Sequence, residues 1–152
     1  MTDNDLLGSL EAKLDREQLI DFNDNLPKRA NVLAWIESLE ISADAKALLM
    51  SVANAAATVG DIVVSVGLKV IETIKWALER YPSTAFGIVV GGVLSWLVAG
   101  IPLIGFLIGP LLTPLFMAFG IGAGAISDMR AQVHRDHIDR LERQFAIFQV
   151  NA

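Results

Sequence analysis

The chain has 152 residues, 53% of them hydrophobic and 19% charged, with no cysteine and a net charge of −5. An average soluble domain carries about 25% charged residues, so lipid is the expected solvent for part of this chain; the missing thiols exclude disulfides, thiolate metal sites and cysteine nucleophiles. The negative charge sits in residues 1–40, where nine acids oppose four bases; without a stripe of clustered Lys and Arg to neutralise phosphate, nucleic acid is excluded as a partner.

Residues 1–41 read as an acidic, soluble helical head. It opens on Thr2-Asp3-Asn4-Asp5, whereas a cleavable signal peptide would begin basic and run into an apolar core. Leu6, Leu7, Leu10 and Leu14 recur at helical spacing, and Asp15-Arg16-Glu17-Gln18 has the form of a capping box. Asn23-Asp24-Asn25-Leu26-Pro27 breaks the helix, with Pro27 suited to the first turn of the next. That second helix, about residues 27–39, carries Val32, Leu33, Ile36 and Leu39 on one face. The acidic surface of the head makes a basic protein partner an expectation.

Residues 42–82 predict one long amphipathic helix. Ser42 is a good N-cap, Asp44 suits the first turn, and no proline follows before Pro82; Gly60 and Gly67 are its places to bend. Asp44, Ser51, Asn54, Thr58, Asp61, Ser65, Glu72 and Glu79 fall on steps of three and four, one polar stripe along an apolar rod. In a ring of subunits Ser51, Asn54, Thr58, Asp61 and Ser65 become candidate pore-lining residues, with Asp61 as a charged ring. The competing expectation is a helix lying at the membrane surface or in a bundle, its polar line toward water. Trp76 and Tyr81, just before the apolar region, suit anchors at the lipid headgroups.

From Tyr81 to Ser127 the chain runs 47 residues without Asp, Glu, Lys, Arg or His. About 18 uncharged apolar residues are enough to signal a bilayer span, and one helix of this length would be about 70 Å long, so the stretch should fold back on itself. Residues 83–127 therefore predict a transmembrane or re-entrant hairpin. Its first arm runs over about 84–101, capped by Ser83 or Thr84. The reversal falls between Gly100-Ile101-Pro102 and Gly109-Pro110, and the second arm occupies about 108–127. Gly87, Gly91, Gly92, Gly120, Gly122 and Gly124 are candidate helix-packing positions, because small residues let helix backbones approach. Basic residues lie on both flanks (Lys69, Lys75 and Arg80 before, Arg130, Arg135, Arg140 and Arg143 after) and none in the turn, so both termini are expected on the cytoplasmic side of a prokaryotic inner membrane.

Residues 128–152 predict a C-terminal amphipathic helix on which Ala131, His134, Ile138, Leu141, Phe145 and Phe148 trace a heptad seam, suited to docking on another helix or on copies of itself. His134 and His137 lack a convincing third ligand, so neither a metal nor a cofactor is expected. A phosphate loop, a nucleophile elbow and paired carboxylates within the apolar region are all missing, so no enzyme is expected.

The fold class is thus all-α, an integral membrane helical hairpin between amphipathic helices. At this length any transport path has to be built by several copies. The expected function is a homo-oligomer that forms a pore or channel in a lipid bilayer, or alternatively a membrane-shaping scaffold or small accessory subunit. In outline, residues 81–127 resemble the two-span phage holins and the apolar hairpin of pore-forming colicins, which implies membrane permeabilisation. The resemblance is architectural and assigns no residue a role.

Overall fold

Proline and β-branched residues set where several of the helices start and stop. The computed structural model describes residues 16–59, 61–80, 86–120 and 145. These residues are predominantly helical, with one short hairpin: α1 (Arg16–Asp24), α2 (Arg29–Glu37), α3 (Ala43–Ala53), β1 (Ala57–Val59), β2 (Ile62–Val64), α4 (Val66–Arg80), α5 (Phe86–Gly100) and α6 (Pro102–Ala118).

Helix α1 buries only Leu19, and Asn25 closes it by donating both its backbone N–H and its Nδ2 to the Asp21 carbonyl, at 3.2 and 2.8 Å. Pro27 keeps its predecessor out of the helical region. It lies one residue ahead of the extended N-cap Lys28, so α2 starts at Arg29 and not at the proline. Val32 and Ile36 are buried and Leu33 and Leu39 half-buried, the face expected from their spacing.

Ser42 caps α3 as expected, its Oγ accepting from the Ala45 N–H at 3.1 Å, and Asp44 complements the helix dipole in the first turn. The expected 40-residue rod does not form. After Ala53 the chain enters an antiparallel hairpin with Ala57 opposite Val64, Thr58 opposite Val63 and Val59 opposite Ile62. Val59-Gly60-Asp61-Ile62 places Gly-Asp between two β-branched runs, a two-residue hairpin signal, and valine and isoleucine lose side-chain freedom in a helix that they keep in a strand. Ala57, Val59 and Val64 turn inward while Thr58 and Val63 face out.

Helix α4 then resumes with eight buried residues on one face, from Val66 to Ala77, and Lys75, Glu79 and Arg80 outside. Gly67 is what lets it return against α3. A β-carbon there would lie 1.9 Å from the Val52 carbonyl oxygen, and the Gly67 N–H donates to the Ala55 carbonyl at 2.9 Å.

Packing runs in a closed circuit: α3 against α4, α4 against α5, α5 against α6, and α6 back against α3, with α2 laid on α3 and α4 and the hairpin on α1. One continuous apolar core joins Leu19 of α1 to Leu115 of α6 and takes in Phe145, which is helical and fully buried. Phe145 belongs to the seam expected to dock on another helix or on copies of itself, and its side chain is part of the chain's own core.

Candidate membrane-active hairpin

The uncharged stretch supplies α5 and α6, and these make the most distinctive surface and interior of the fold. Every residue from Val89 to Leu97 is buried, nine in succession and so on all sides of the helix. An all-apolar helix requires this of whatever surrounds it, protein or lipid.

The reversal comes earlier than expected. Gly100 ends α5, Ile101 is the extended N-cap of α6, and Pro102 takes the first helical position, where its fixed φ and missing N–H suit it. Helix α6 then continues through Gly109-Pro110 and Pro114, so these prolines lie inside the second arm instead of opening it. Both are exposed. A proline removes the bond to the carbonyl four residues back, here those of Phe106 and Pro110, and these also belong to exposed residues. The two arms approach closely where Gly105 faces the Val98 carbonyl: a β-carbon at Gly105 would sit 2.8 Å from that oxygen. At the open end the Phe86 and Phe119 rings lie 5.5 Å apart, tilted by 52°.

The arms differ in what they show to solvent. Helix α6 presents Pro102, Phe106, Pro110, Pro114 and Met117 at helical spacing on one exposed face, with Met117 74% exposed and no ionisable side chain among them. Where α6 passes the start of α3 this face borders a recess of about 560 Å³ lined by Asp44, Ala47, Leu48, Pro114, Met117 and Ala118. The hydroxyl side chains of α5 and α6 are Thr113, which is exposed, and Ser95, which is buried; the Ser95 Oγ has no hydrogen-bond partner among the described residues. At 15 and 17 residues the helices measure about 22 and 25 Å against a hydrocarbon core of about 30 Å, and no described helix is long and apolar enough to cross a membrane.

The five candidate pore-lining residues do not form one stripe. Ser51, exposed, donates to the Ala47 carbonyl within α3 at 3.1 Å. Asn54 caps the end of α3 and accepts from Arg29. Thr58 points out of β1, Asp61 lies at the hairpin turn and Ser65 is half-buried beyond β2. Asp61 pairs with Arg16 of α1, and that hydrogen bond holds its carboxyl below the usual carboxylate range. A helix-period reading applied across two strands is what aligned them.

Of the packing glycines, Gly91 and Gly92 are buried and Gly87 half-buried. Gly120 is exposed at φ +70, with no described atom within 4 Å of where its β-carbon would be; it ends α6 in the left-handed conformation that favours glycine. Gly122, Gly124, Tyr81, His134, Ile138, Leu141 and Phe148 lie outside the described residues. Trp76 is half-buried on α4.

Two features escaped sequence reasoning. Asn23 braces the free edge of β2, donating to the Val63 carbonyl at 2.9 Å and accepting from the Ser65 N–H at 3.3 Å. Lys75 lies 6.0 Å from the Trp35 ring centroid, beside a small recess between α2 and α4. Neither carries a local signal beyond residue type, because each contact joins distant parts of the chain. No protein-family model, curated protein or solved structure matches this chain.

Proposed function

We propose that this chain is a membrane-active protein whose α5–α6 hairpin enters lipid, and that copies of it assemble there to permeabilise the bilayer. One observation carries the reading: no side chain from Phe86 to Ala118 can ionise, and α6 still turns an apolar face outward. In water that face exposes hydrocarbon with no compensating charge, and in lipid the same face is favourable at roughly 25 cal/mol per Å². Helix α5, wrapped by its neighbours, is sheltered until α6 makes contact. The permeation path belongs to the assembled hairpins and the lipid they disorder, because the polar residues from Ser51 to Ser65 are spread over a helix end and a strand pair.

The lengths of the arms favour a second reading in which the hairpin dips into the bilayer as a wedge and shapes it without opening it. Both readings place the protein at a membrane, and one experiment separates them. The full chain is mixed with phosphatidylcholine–phosphatidylglycerol vesicles loaded with a small dye, followed by flotation. Floating protein with dye release is the expected result. Floating protein with retained dye and deformed vesicles selects the wedge, and protein left at the bottom of the gradient refutes both.

A further inference from the structure

Along α5 the residues Gly87, Gly91, Ser95 and Ala99 recur every fourth position. Such a row is one of the natural ridges of a helix, and small residues along it allow a right-handed crossing at close backbone approach. Small residues alone would say little, since they also suit the packing of α5 against its neighbours in one chain. Ser95 adds the second observation. Its residue is only 6% exposed, it lies in the middle of the row, and its hydroxyl has no hydrogen-bond partner among the described residues. Burying a hydroxyl unpaired is unfavourable, and here it lies among glycine and alanine positions that would let a second backbone come within bonding distance.

We infer that the Gly87–Gly91–Ser95–Ala99 row is the surface on which α5 pairs with the α5 of a second copy of this chain once the hairpin has entered lipid. The inference rests on the membrane reading above. Copies that insert from the same side share one orientation, so the pair is parallel and its two-fold axis runs along the membrane normal. Ser95 then faces Ser95, each hydroxyl within reach of its counterpart or of the Gly91 carbonyl across the crossing. Gly91 and Ser95, buried in the sheltered molecule, become the centre of the contact in the assembled one.

The chain has no native cysteine, which makes the test direct. Ser95→Cys, nearly the same size as the parent, and Val93→Cys, on the opposite side of the helix at 100° per residue, are each made in the full chain. Both are mixed with phosphatidylcholine–phosphatidylglycerol vesicles, floated and then oxidised. The expected result is a disulfide-linked dimer from Ser95→Cys and none from Val93→Cys. Protein that floats without a dimer, or that gives equal dimer from both variants, overturns the pairing and leaves the membrane reading standing; protein that does not float overturns the membrane reading and the pairing with it. Separately, Ser95→Ala should weaken association in vesicles roughly three-fold, from interhelical hydrogen-bond strengths in membranes, measured by energy transfer on dilution with lipid. Equal association of Ser95→Ala and parent removes the hydroxyl from the contact.

Discussion

Replacing Gly67 with alanine sets two effects of opposite sign against each other. Helix propensity alone favours alanine by about 1 kcal/mol. Against this, the new β-carbon would lie 1.9 Å from the Val52 carbonyl oxygen and 2.8 Å from that of Ala53, where carbon–oxygen contacts ordinarily begin near 3.3 Å, so the two helices must part by about 1.4 Å. Both obstructing atoms are backbone at the end of α3, and neither can turn aside as a side-chain tip could. Overpacking of this kind destabilises by about 1–3 kcal/mol, and separation also breaks the Gly67 N–H to Ala55 carbonyl bond at 2.9 Å, worth about 1 kcal/mol. The clash wins, for a net loss of about 1–3 kcal/mol. Urea unfolding of the full chain should show a lower midpoint with unchanged slope, and thermal unfolding a midpoint lower by about 2–12 °C. Gly100→Ala is the control: open space surrounds that position, so it should be neutral or stabilising by a few tenths of a kcal/mol to about 1. If Gly67→Ala behaves like Gly100→Ala, the close approach of α4 to α3 is not what holds the circuit together.

Gly105→Ala should loosen the hairpin, since its β-carbon would meet the Val98 carbonyl at 2.8 Å; a loss of about 1 kcal/mol in the same unfolding assay is expected, and no loss would refute the tight crossing there. Ser42→Ala removes the acceptor for the Ala45 N–H and should lower stability by about 1 kcal/mol, with Ser42→Asp largely retaining it. Asn23→Ala should release the edge of β2 and speed amide exchange at Ser65, which loses its acceptor; unchanged protection would show that the brace is idle. The Asp61 carboxyl is held below its ordinary range by Arg16, so the pair's contribution is present above the unfolded carboxylate pKa and is lost as pH falls through the lower folded value. Carboxyl NMR should place the Asp61 midpoint below that of a free aspartate, and Arg16→Ala should raise it; an unmoved midpoint would refute the pairing.

Helix caps and helix faces were legible because they are written locally. Ser42 and Asp44 announce the start of α3, and Val32 and Ile36 the buried face of α2, whatever the rest of the chain does. The first arm was legible too: α5 at Phe86–Gly100 lies inside the expected 84–101. The rod over 42–82 failed because its polar residues satisfied a period of 3.6 while its β-branched residues, Val59 and Ile62 through Val64, voted for strands on either side of Gly60-Asp61. The absence of proline was read as permission for helix, and permission is weaker than preference. The reversal was misplaced for a related reason. Ile101-Pro102 and Gly109-Pro110 look alike in sequence, but a proline at the first helical position is compatible with the helix, and one on an exposed face leaves its freed carbonyl open to solvent. Exposure is a tertiary fact that residues 102–114 do not encode by themselves.

Absent charge signals an environment that excludes water, and it does not say whether protein or lipid provides it. Helix α5 satisfies that requirement inside the chain's own core, because α4 and α6 flank it and the core extends around it. Helix α6 satisfies it on one side only. The asymmetry bears on the proposed function more than total hydropathy does, since a molecule with both arms buried would have no reason to leave water, and one with both arms exposed would aggregate before it met a membrane. On the proposed function, an exposed apolar ridge containing Phe106 and Met117, backed by a sheltered partner helix, would give first contact to α6 and insertion to the pair. The order is testable: Phe106→Asp and Met117→Asp together should abolish vesicle flotation while urea unfolding remains a single cooperative transition. Flotation that survives both substitutions would remove α6 as the leading element.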